Sequence, residues 1–195
     1  MPPMQEIEYR SSSKMLLETR ENTAAVLTGY ASTFDEPYEI DGVTETIKRG
    51  AFSSTLEGVP DVFAFLNHDT GRIIARTLTG SLKLSVDEKG LQTEICPIDT
   101  ADGRTAIELV RTGTVTSMSF GFCVDDDTIE MRNGKLFRDI NKISLHEVSI
   151  VAFPANNKAV ISMRCKNQIN SILAQKKSKV FISNWVNPLA NIKKA

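Results

Sequence analysis

The chain has 195 residues and a nearly balanced charge, with 24 acidic and 23 basic residues and a formal net charge of −1. No apolar run reaches the roughly 18 residues of a membrane-spanning helix, and the first ten residues lack the apolar core of a signal peptide. The three cysteines, Cys96, Cys123 and Cys165, match no zinc or CxxC spacing, which excludes a disulfide-stapled scaffold and favours a reduced, intracellular protein.

Strand signals dominate the first hundred residues. The apolar, β-rich run 24–34 predicts a strand, and Gly29 inside it indicates a bulge or a close approach of another backbone. Residues 44–56 have room for a short helix that begins near Gly50. The run 61–69 predicts a buried strand that ends at a histidine.

Two hairpins and a helix are predicted next. The strand 61–69 is expected to pair with 72–78 across an Asp-Thr-Gly turn. Residues 81–98 alternate between apolar and polar on both sides of an Asp-Glu-Lys-Gly turn, which predicts the second hairpin. Apolar residues then recur at three- and four-residue spacing over 100–113, which predicts a helix with Asp102 as its N-terminal cap.

The pattern then returns to strands. Residues 114–124 predict one strand, and an Asn-Gly turn within 132–135 leads into a long strand candidate over 136–153. From about residue 157 to 175 the pattern is helical again. Many short strands with one or two helices predict a mainly β fold with helices (α+β), arranged as a β-barrel with helical decoration.

Charged residues are distributed unevenly along the chain. Eight basic and no acidic residues follow Glu147, which leaves 15 basic against 24 acidic residues, a net charge of −9, in the remainder. We therefore expect a β-barrel domain over residues 1–160 and a basic C-terminal helix and tail over residues 161–195. The basic end could hold an acidic partner, or it could form only a solvated helix face and tail.

His68 is one of only two histidines in the chain, and it lies after an apolar run between Asn67 and Asp69. An imidazole titrates near neutral pH and is therefore suited to act as a general base. A lone histidine can equally be a satisfied structural residue, so this feature alone leaves both interpretations open.

Small residues cover one face of the strand candidate 114–124. Alternate residues of a strand point to the same side, and on one side these are Ser117, Ser119 and Gly121. The opposite side is an apolar stripe made of Met118, Phe120 and Phe122. The glycine would leave room above a serine hydroxyl for a substrate or a neighbouring side chain. A tightly packed barrel strand would favour the same small residues.

Glu147 lies inside the otherwise apolar strand candidate 136–153. Alternation places it on one face with Leu145 and Ser149, and places His146 on the opposite face. A buried carboxylate is costly unless it is paired or hydrogen-bonded. Glu147 therefore either has a functional partner or lies exposed on an edge strand.

Ser119, His68 and Glu147 together could supply the three roles of a serine hydrolase. A serine hydroxyl needs a base to take its proton, and the imidazole needs a group that fixes its tautomer and stabilises the imidazolium. Spacing does not establish proximity, but strands of one barrel can bring such residues together. The chain lacks the GxSxG elbow of the α/β-hydrolases.

Over roughly residues 5 to 160 the chain resembles the head maturation (prohead) proteases of tailed bacteriophages and related prophages. Six segments occur in the order of that family: GYASTFDE, ETIKRGAFSSTL, DVFAFLNHD, GSLKLSVDEKGL, ELVRTGTVTSMSFGF and LHEVSIVAFPAN. The family in turn is similar to the herpesvirus assemblin proteases. The resemblance implies a mostly antiparallel β-barrel wrapped by helices.

The resemblance also implies roles for individual residues. His68 matches a base histidine in an Asn-His-Asp setting, and Ser119 matches the serine of a Ser-x-Gly-aromatic motif. Glu147 occupies the place of the third member, which the assemblins fill with a histidine before Val-Ser. The arginine pair that serves the assemblin oxyanion hole is missing, and Ala155 and Asn156 stand there, so a backbone N–H is the donor expected in that region.

The function that the resemblance implies is a serine endopeptidase that processes phage head proteins inside the assembling procapsid, in the host cytoplasm. Its expected substrates are the scaffold protein, the N-terminal segment of the major capsid protein, and the protease itself. A homodimer is possible, and we expect no cofactor, no metal, no membrane and no specific nucleic acid.

Two other functions fit parts of the sequence. One is a catalytically inactive barrel that binds capsid or scaffold protein, which an active-site serine probe would separate from a protease. The other is a small-ligand barrel with an apolar pocket around Met118, Phe120 and Phe122, which would leave His68 and Ser119 far apart.

Overall fold

The computed structural model describes residues 6–13, 15–18, 25–58, 60–153 and 169–175. Its elements in chain order are β1 (Glu8–Ser13), β2 (Met15–Glu18), β3 (Val26–Thr33), β4 (Tyr38–Ile40), β5 (Val43–Ile47), α1 (Ser53–Leu56), β6 (Phe63–Leu66), β7 (Asp69–Arg76), β8 (Leu82–Val86), β9 (Gly90–Ile95), α2 (Ala101–Arg111), β10 (Ser117–Arg132), β11 (Lys135–Val151) and α3 (169–175). Among the helices of these residues, none is long and apolar enough to cross a membrane.

The strands form two sheets. The first has seven strands in the order β1-β10-β11-β5-β4, with β6 pairing to both β11 and β7, and the second has four in the order β2-β3-β9-β8. The expected mainly β fold with helices is confirmed. No closed barrel is found among the described strands, so the barrel stays a prediction, as does the boundary between residues 160 and 161, which falls outside the described residues.

The two longest strands, β10 and β11, form the centre of the larger sheet. Asn133 and Gly134 connect them with φ angles of 49° and 84°. Two left-handed residues make a type I′ turn, whose twist matches that of the flanking strands. The Asn-Gly turn predicted for residues 132–135 is therefore confirmed.

Strand β11 is long enough to take two further partners along its other edge. Its first part pairs in parallel with β5, and its last part pairs in parallel with β6. The other seven strand pairs among the described residues are antiparallel, so the strands are mostly antiparallel, as expected. The arrangement places the end of β6 beside the end of β11.

The predicted apolar stripe of β10 lies in the hydrophobic core. Met118, Phe120 and Phe122 are at most 1% exposed, and Val148 and Ile150 of β11 belong to the same cluster. The three side chains therefore pack as ordinary core and do not line a ligand pocket. The opposite face of β10 carries its serines and its glycine.

Helix α2 begins differently from the sequence prediction. Thr100 is its N-cap, with an extended backbone and a hydroxyl that accepts a hydrogen bond from Gly103 N at 3.1 Å. Asp102 lies inside the first turn, where it accepts a hydrogen bond from Arg72 Nε at 2.8 Å. The predicted Asp102 cap is wrong because a cap residue must stand outside the helix.

A cluster of buried charged side chains fastens β1 to the larger sheet, and the sequence analysis did not predict it. Its members are Glu8, Arg10, Glu45, Asp127 and Arg138. Arg10 Nε donates to Glu45 Oε1 at 2.5 Å, and Arg138 Nη1 donates to Glu8 Oε2 at 2.8 Å. Each cluster carboxylate has an arginine partner, as buried charges require.

Candidate active site

His68 lies in the two-residue turn between β6 and β7. Asn67 and His68 have φ angles of 53° and 61°, and Leu66 pairs with Asp69 across them. The Asp-Thr-Gly turn predicted from the sequence is therefore wrong, because β7 already begins at Asp69. Asparagine and histidine are both among the non-glycine residues that adopt this left-handed backbone most often.

Asn67 fixes this turn on the end of β11. Its backbone N donates to Ile150 O at 2.9 Å, and its Oδ1 accepts from Ala152 N at 3.0 Å. A non-glycine residue with positive φ costs about 1–3 kcal/mol and persists only where its surroundings determine it, most often at functional sites. The turn therefore holds His68 in a defined place.

A bulge at His146 changes which residues of β11 share a face. Phe122 pairs with Leu145, whereas the preceding residue, Gly121, pairs with Glu147, so His146 is the extra residue. Leu145 joins the hydrophobic core. The prediction that Glu147 shares a face with Leu145 is therefore wrong, because the bulge reverses the alternation between them.

The bulge also directs His146 away from the position predicted for it. Its Nε2 lies 3.2 Å from Cys123 Sγ, and Cys123 alternates with Gly121 and Ser119 on one face of β10. His146 is therefore on the same side as Glu147 and not on the opposite side. Burial, followed by nearby carboxylates, raises the pKa of the Cys123 thiol, so this group stays protonated at neutral pH.

Glu147 is in direct contact with His68. Its Oε1 lies 2.6 Å from His68 Nδ1, and its side chain is 8% exposed against 24% for the histidine. The other oxygen, Oε2, accepts a hydrogen bond from Ser149 Oγ at 2.5 Å. A proton on Nδ1 shared with the carboxylate leaves Nε2 of the imidazole as the hydrogen-bond acceptor.

Gly121 provides the space that this contact requires. A Cβ atom at Gly121 would lie 2.7 Å from Glu147 Oε1 and 2.9 Å from Tyr9 Cε1. The space expected for a substrate or a neighbouring side chain is thus occupied by the side chains of Glu147 and Tyr9.

Tyr9 of β1 completes the surroundings of the histidine, and the sequence analysis did not identify it. Its ring packs edge-on against His68, with 4.5 Å between the ring centroids. Burial, followed by the negative charge of Glu147, raises the pKa of the Tyr9 hydroxyl. The only sequence signal was the strand pattern, because Tyr9 reaches the site through the pairing of β1 with β10.

Ser119 lies on the same face, two pairs along the ladder from Gly121 and Glu147, which is the next row on that face. Its Cα partners are Ser11 on β1 and Ser149 on β11, and its side chain is fully buried. Its hydroxyl donates to Arg10 O at 2.7 Å, so the proton is not directed at His68. The structure thus brings His68 and Glu147 into contact and places Ser119 in the adjacent row.

The other candidate residues differ in position. Ser117 pairs with Val151, a further row from Glu147, and is partly exposed. Ala155 and Asn156, the residues of the expected oxyanion region, lie outside the described residues. Among the residues that the structure describes, no group of three or more histidine, cysteine or carboxylate side chains could hold a metal ion.

Comparisons with known proteins identify the fold and the family of the chain. The structure of the bacteriophage T4 capsid assembly protease, gp21, matches this fold with a TM-score of 0.54 and 10% sequence identity, over 76% of this chain and 98% of that chain. No curated protein sequence matches the chain. The family model described as caudovirus prohead serine protease matches residues 12–173, which is most of the chain. The chain therefore belongs to the caudovirus prohead serine protease family.

Proposed function

We propose that this protein is a serine endopeptidase of phage head maturation, with His68 as general base, Ser119 as nucleophile and Glu147 as the residue that orients the base. The observation that carries the proposal is the 2.6 Å contact between His68 Nδ1 and Glu147 Oε1. A carboxylate on Nδ1 selects the tautomer in which Nε2 can take a proton, as the third member of a serine triad does.

The attack begins when the Ser119 hydroxyl exchanges its bond to Arg10 O for one to His68 Nε2. Rotation about the Cα–Cβ bond of the serine moves the hydroxyl without moving strand β10. As Oγ bonds to the peptide carbonyl carbon, its proton passes to Nε2, and the negative charge of Glu147 stabilises the imidazolium. The carbonyl oxygen becomes an oxyanion.

The remaining steps follow from the same groups. The imidazolium gives its proton to the leaving amine when the peptide C–N bond breaks, which leaves an acyl group on Ser119 Oγ. A water molecule then attacks the acyl carbon while His68 takes its proton. The bond between the acyl carbon and Ser119 Oγ breaks, His68 returns the proton to Oγ, and the carboxylic product leaves. Backbone N–H groups near Ala155 and Asn156 are the proposed oxyanion donors.

The proposed substrates are the scaffold protein, the N-terminal segment of the major capsid protein, and the protease itself. Membership of the prohead protease family and the fold shared with a capsid assembly protease support this choice. The place of action is the interior of the assembling procapsid in the host cytoplasm. We also propose that the protein forms a homodimer.

One observation favours a second function, a catalytically inactive protein that binds capsid or scaffold protein. Ser119 is fully buried, and its hydroxyl proton is bonded to a backbone carbonyl. A protease must release that hydroxyl for attack, whereas a binding protein need not. Reaction of Ser119 with an active-site serine probe separates the two functions.

The test of the protease is processing of the scaffold and capsid proteins during co-expression, with Ser119→Ala compared with Ser117→Ala. Loss of the nucleophile of a triad costs on the order of 10⁶ in rate, so Ser119→Ala is expected to abolish processing. Ser117→Ala removes the same group from the same strand and should keep most activity. The assignment is wrong if the two results are exchanged.

A further inference from the structure

We propose that Ser149 is a positioning residue that holds both Glu147 and the His68 turn in the arrangement that catalysis requires. The inference rests on the proposed function, and it assigns a role to a side chain that is not one of the three proposed catalytic residues. Ser149 is fully buried on the face that carries Glu147.

The hydroxyl of Ser149 joins two parts of the site. Its Oγ donates to Glu147 Oε2 at 2.5 Å and accepts from His68 N at 3.3 Å. The carboxylate consequently has a separate partner on each oxygen, since Oε1 contacts His68 Nδ1. Rotation of the carboxylate would break both contacts, so the serine fixes the oxygen that faces the imidazole.

Strand register explains why one hydroxyl can bond to both Glu147 and the backbone of His68. Glu147 and Ser149 are two residues apart on β11, after the bulge, and their side chains point to the same side. Strand β6 runs parallel beside them, with Ser149 opposite Phe65, so the turn that follows β6 brings His68 N to the serine. Ser149 therefore links the left-handed backbone of His68 to Glu147, the carboxylate that the His68 ring contacts.

The expected effect of losing the hydroxyl is a slower reaction of Ser119. A hydrogen bond to a charged group corresponds to about a ten- to hundredfold change in rate. Alanine and cysteine remove the hydrogen bond in opposite steric directions, because alanine lacks the γ atom, whereas cysteine has a larger γ atom that is only a weak donor. Ser149→Ala and Ser149→Cys should therefore both be slow.

The experiment measures two properties of the full-length protein and its variants: the rate at which a fluorophosphonate probe labels Ser119, and the NMR resonance of the His68 Nδ1 proton. Ser144→Ala is the matched control, since Ser144 also lies on β11 and donates to a carboxylate, Asp125 Oδ2, at 2.9 Å. We expect the control to match the unmodified protein in both measurements. Both Ser149 variants should label about ten- to a hundredfold more slowly and show a shifted or broadened resonance.

The proposal is overturned if either Ser149 variant keeps the labelling rate and the resonance of the unmodified protein. A slow Ala variant with a normal Cys variant would mean that side-chain size matters and the hydroxyl does not. If Ser149→Ala fails to fold, Ser149→Cys carries the test. If the unmodified protein does not label at Ser119, the proposed function fails, and the resonance still decides whether Ser149 positions His68.

Discussion

Gly121 and Glu147 face each other across the β10–β11 ladder, and the carboxylate occupies the space that a side chain at Gly121 would fill. A Cβ atom there would be 2.7 Å from Glu147 Oε1, which is closer than any ordinary contact. Gly121→Ala should therefore push the carboxylate away from His68. A displacement of about 1 Å can cost about a hundredfold in rate, and we expect a loss of that order in processing.

The control for this substitution is Gly58→Ala, because a Cβ atom at Gly58 would meet nothing within 4 Å. Processing of capsid protein by both variants, with unfolding midpoints as a check on folding, gives the comparison. A Gly121→Ala variant that is as active as Gly58→Ala would show that the contact between His68 and Glu147 is not needed.

Glu147→Gln keeps the shape of the side chain and removes its charge. The imidazolium formed during attack loses its stabilising partner, and the drop in rate should be about 10⁴-fold, by analogy with other triads. Measured cleavage rates of Glu147→Gln and His146→Ala check the assignment. A silent Glu147→Gln together with an inactive His146→Ala would make His146, which contacts Cys123, the third member of the triad.

Alternation along a strand was enough to place Ser119 and Gly121 on one face of β10. It failed on β11, because a bulge inserts His146 and reverses the faces on either side of it. Neither the bulge nor the left-handed backbone of His68 has a signature in the residue types alone. The bulge arises from the pairing of β11 with β10, and the His68 backbone belongs to the tight turn between β6 and β7, which is also bonded to the end of β11. Together they create the contact between His68 and Glu147.

At the scale of elements, β1 depends on Arg138 of β11. Arg138 contacts three carboxylates, Glu8, Glu45 and Asp127, and is 1% exposed. Replacing it by methionine would take the arginine from Asp127 and leave Glu8 and Glu45 to share Arg10, and breaking a buried charge network in this way typically costs about 3–5 kcal/mol. We expect Arg138→Met to lower the free energy of unfolding by that amount, as measured in urea.

Arg132→Met is the matched control, because Arg132 pairs with Glu130 and Asp139 on the surface. Exposed ion pairs contribute about 0–1 kcal/mol, so this variant should unfold near the midpoint of the unmodified protein. Equal effects of the two substitutions would contradict the role of the buried cluster in holding β1.

Tyr38 of β4 makes the same cluster sensitive to alkali. Its hydroxyl donates to Glu45 Oε1, and burial, followed by the charge of Glu45, raises its pKa well above the usual value. The unfolded chain ionises this tyrosine from about pH 10, whereas the folded protein keeps it neutral. Stability from this group is therefore complete below pH 10 and is lost as the pH rises towards the folded pKa.

Urea midpoints at pH 8 and pH 11 measure this loss. Tyr38→Phe should be less stable at pH 8, because the hydrogen bond to Glu45 is gone, and it should lose less stability on going to pH 11. Tyr30→Phe is the control, since Tyr30 bonds to Asp87 at the surface and should change the alkaline loss much less. An unchanged alkaline loss in Tyr38→Phe would contradict this origin.

Local signals predicted most elements and few of their partners. The Asn133-Gly134 turn and the alternation around it identified β10 and β11, because a hairpin is built from neighbouring residues. The parallel pairing of β11 with β5 and β6 joins residues more than 80 positions apart. Alternation of apolar and polar residues is compatible with any partner strand. The sequence therefore does not distinguish these pairings from those of a closed antiparallel barrel.

At the scale of the whole molecule, the distribution of charge suggests how the protease is controlled. The segment after Glu147 is basic, and the remainder has a net charge of −9. Such a segment could dock on an acidic scaffold or on the protease itself. The attraction would weaken with salt, because the Debye length falls from about 10 Å at 0.1 M to about 3 Å at 1 M.

We therefore expect the purified protein to be weakly active alone and active when concentrated inside procapsids, where it cuts its own tail after Lys166. Of the residues after Lys166 the structure describes only 169–175, and the expectation rests on the sequence. Mass spectrometry of protease recovered from maturing heads tests it. An intact terminus at Ala195 on fully active enzyme would remove the tail from the mechanism and leave dimerisation as the means of control.

The central claim is that Ser119 is a nucleophile activated by His68 and Glu147. Its most direct test is to label the full-length protein with a fluorophosphonate and to locate the adduct by peptide mass spectrometry. The expected result is one adduct on Ser119, none on Ser117, and a strongly reduced rate in Glu147→Gln. The protein tested must unfold at its normal midpoint. Under that condition, either the absence of labelling or an adduct on another residue would contradict the claim.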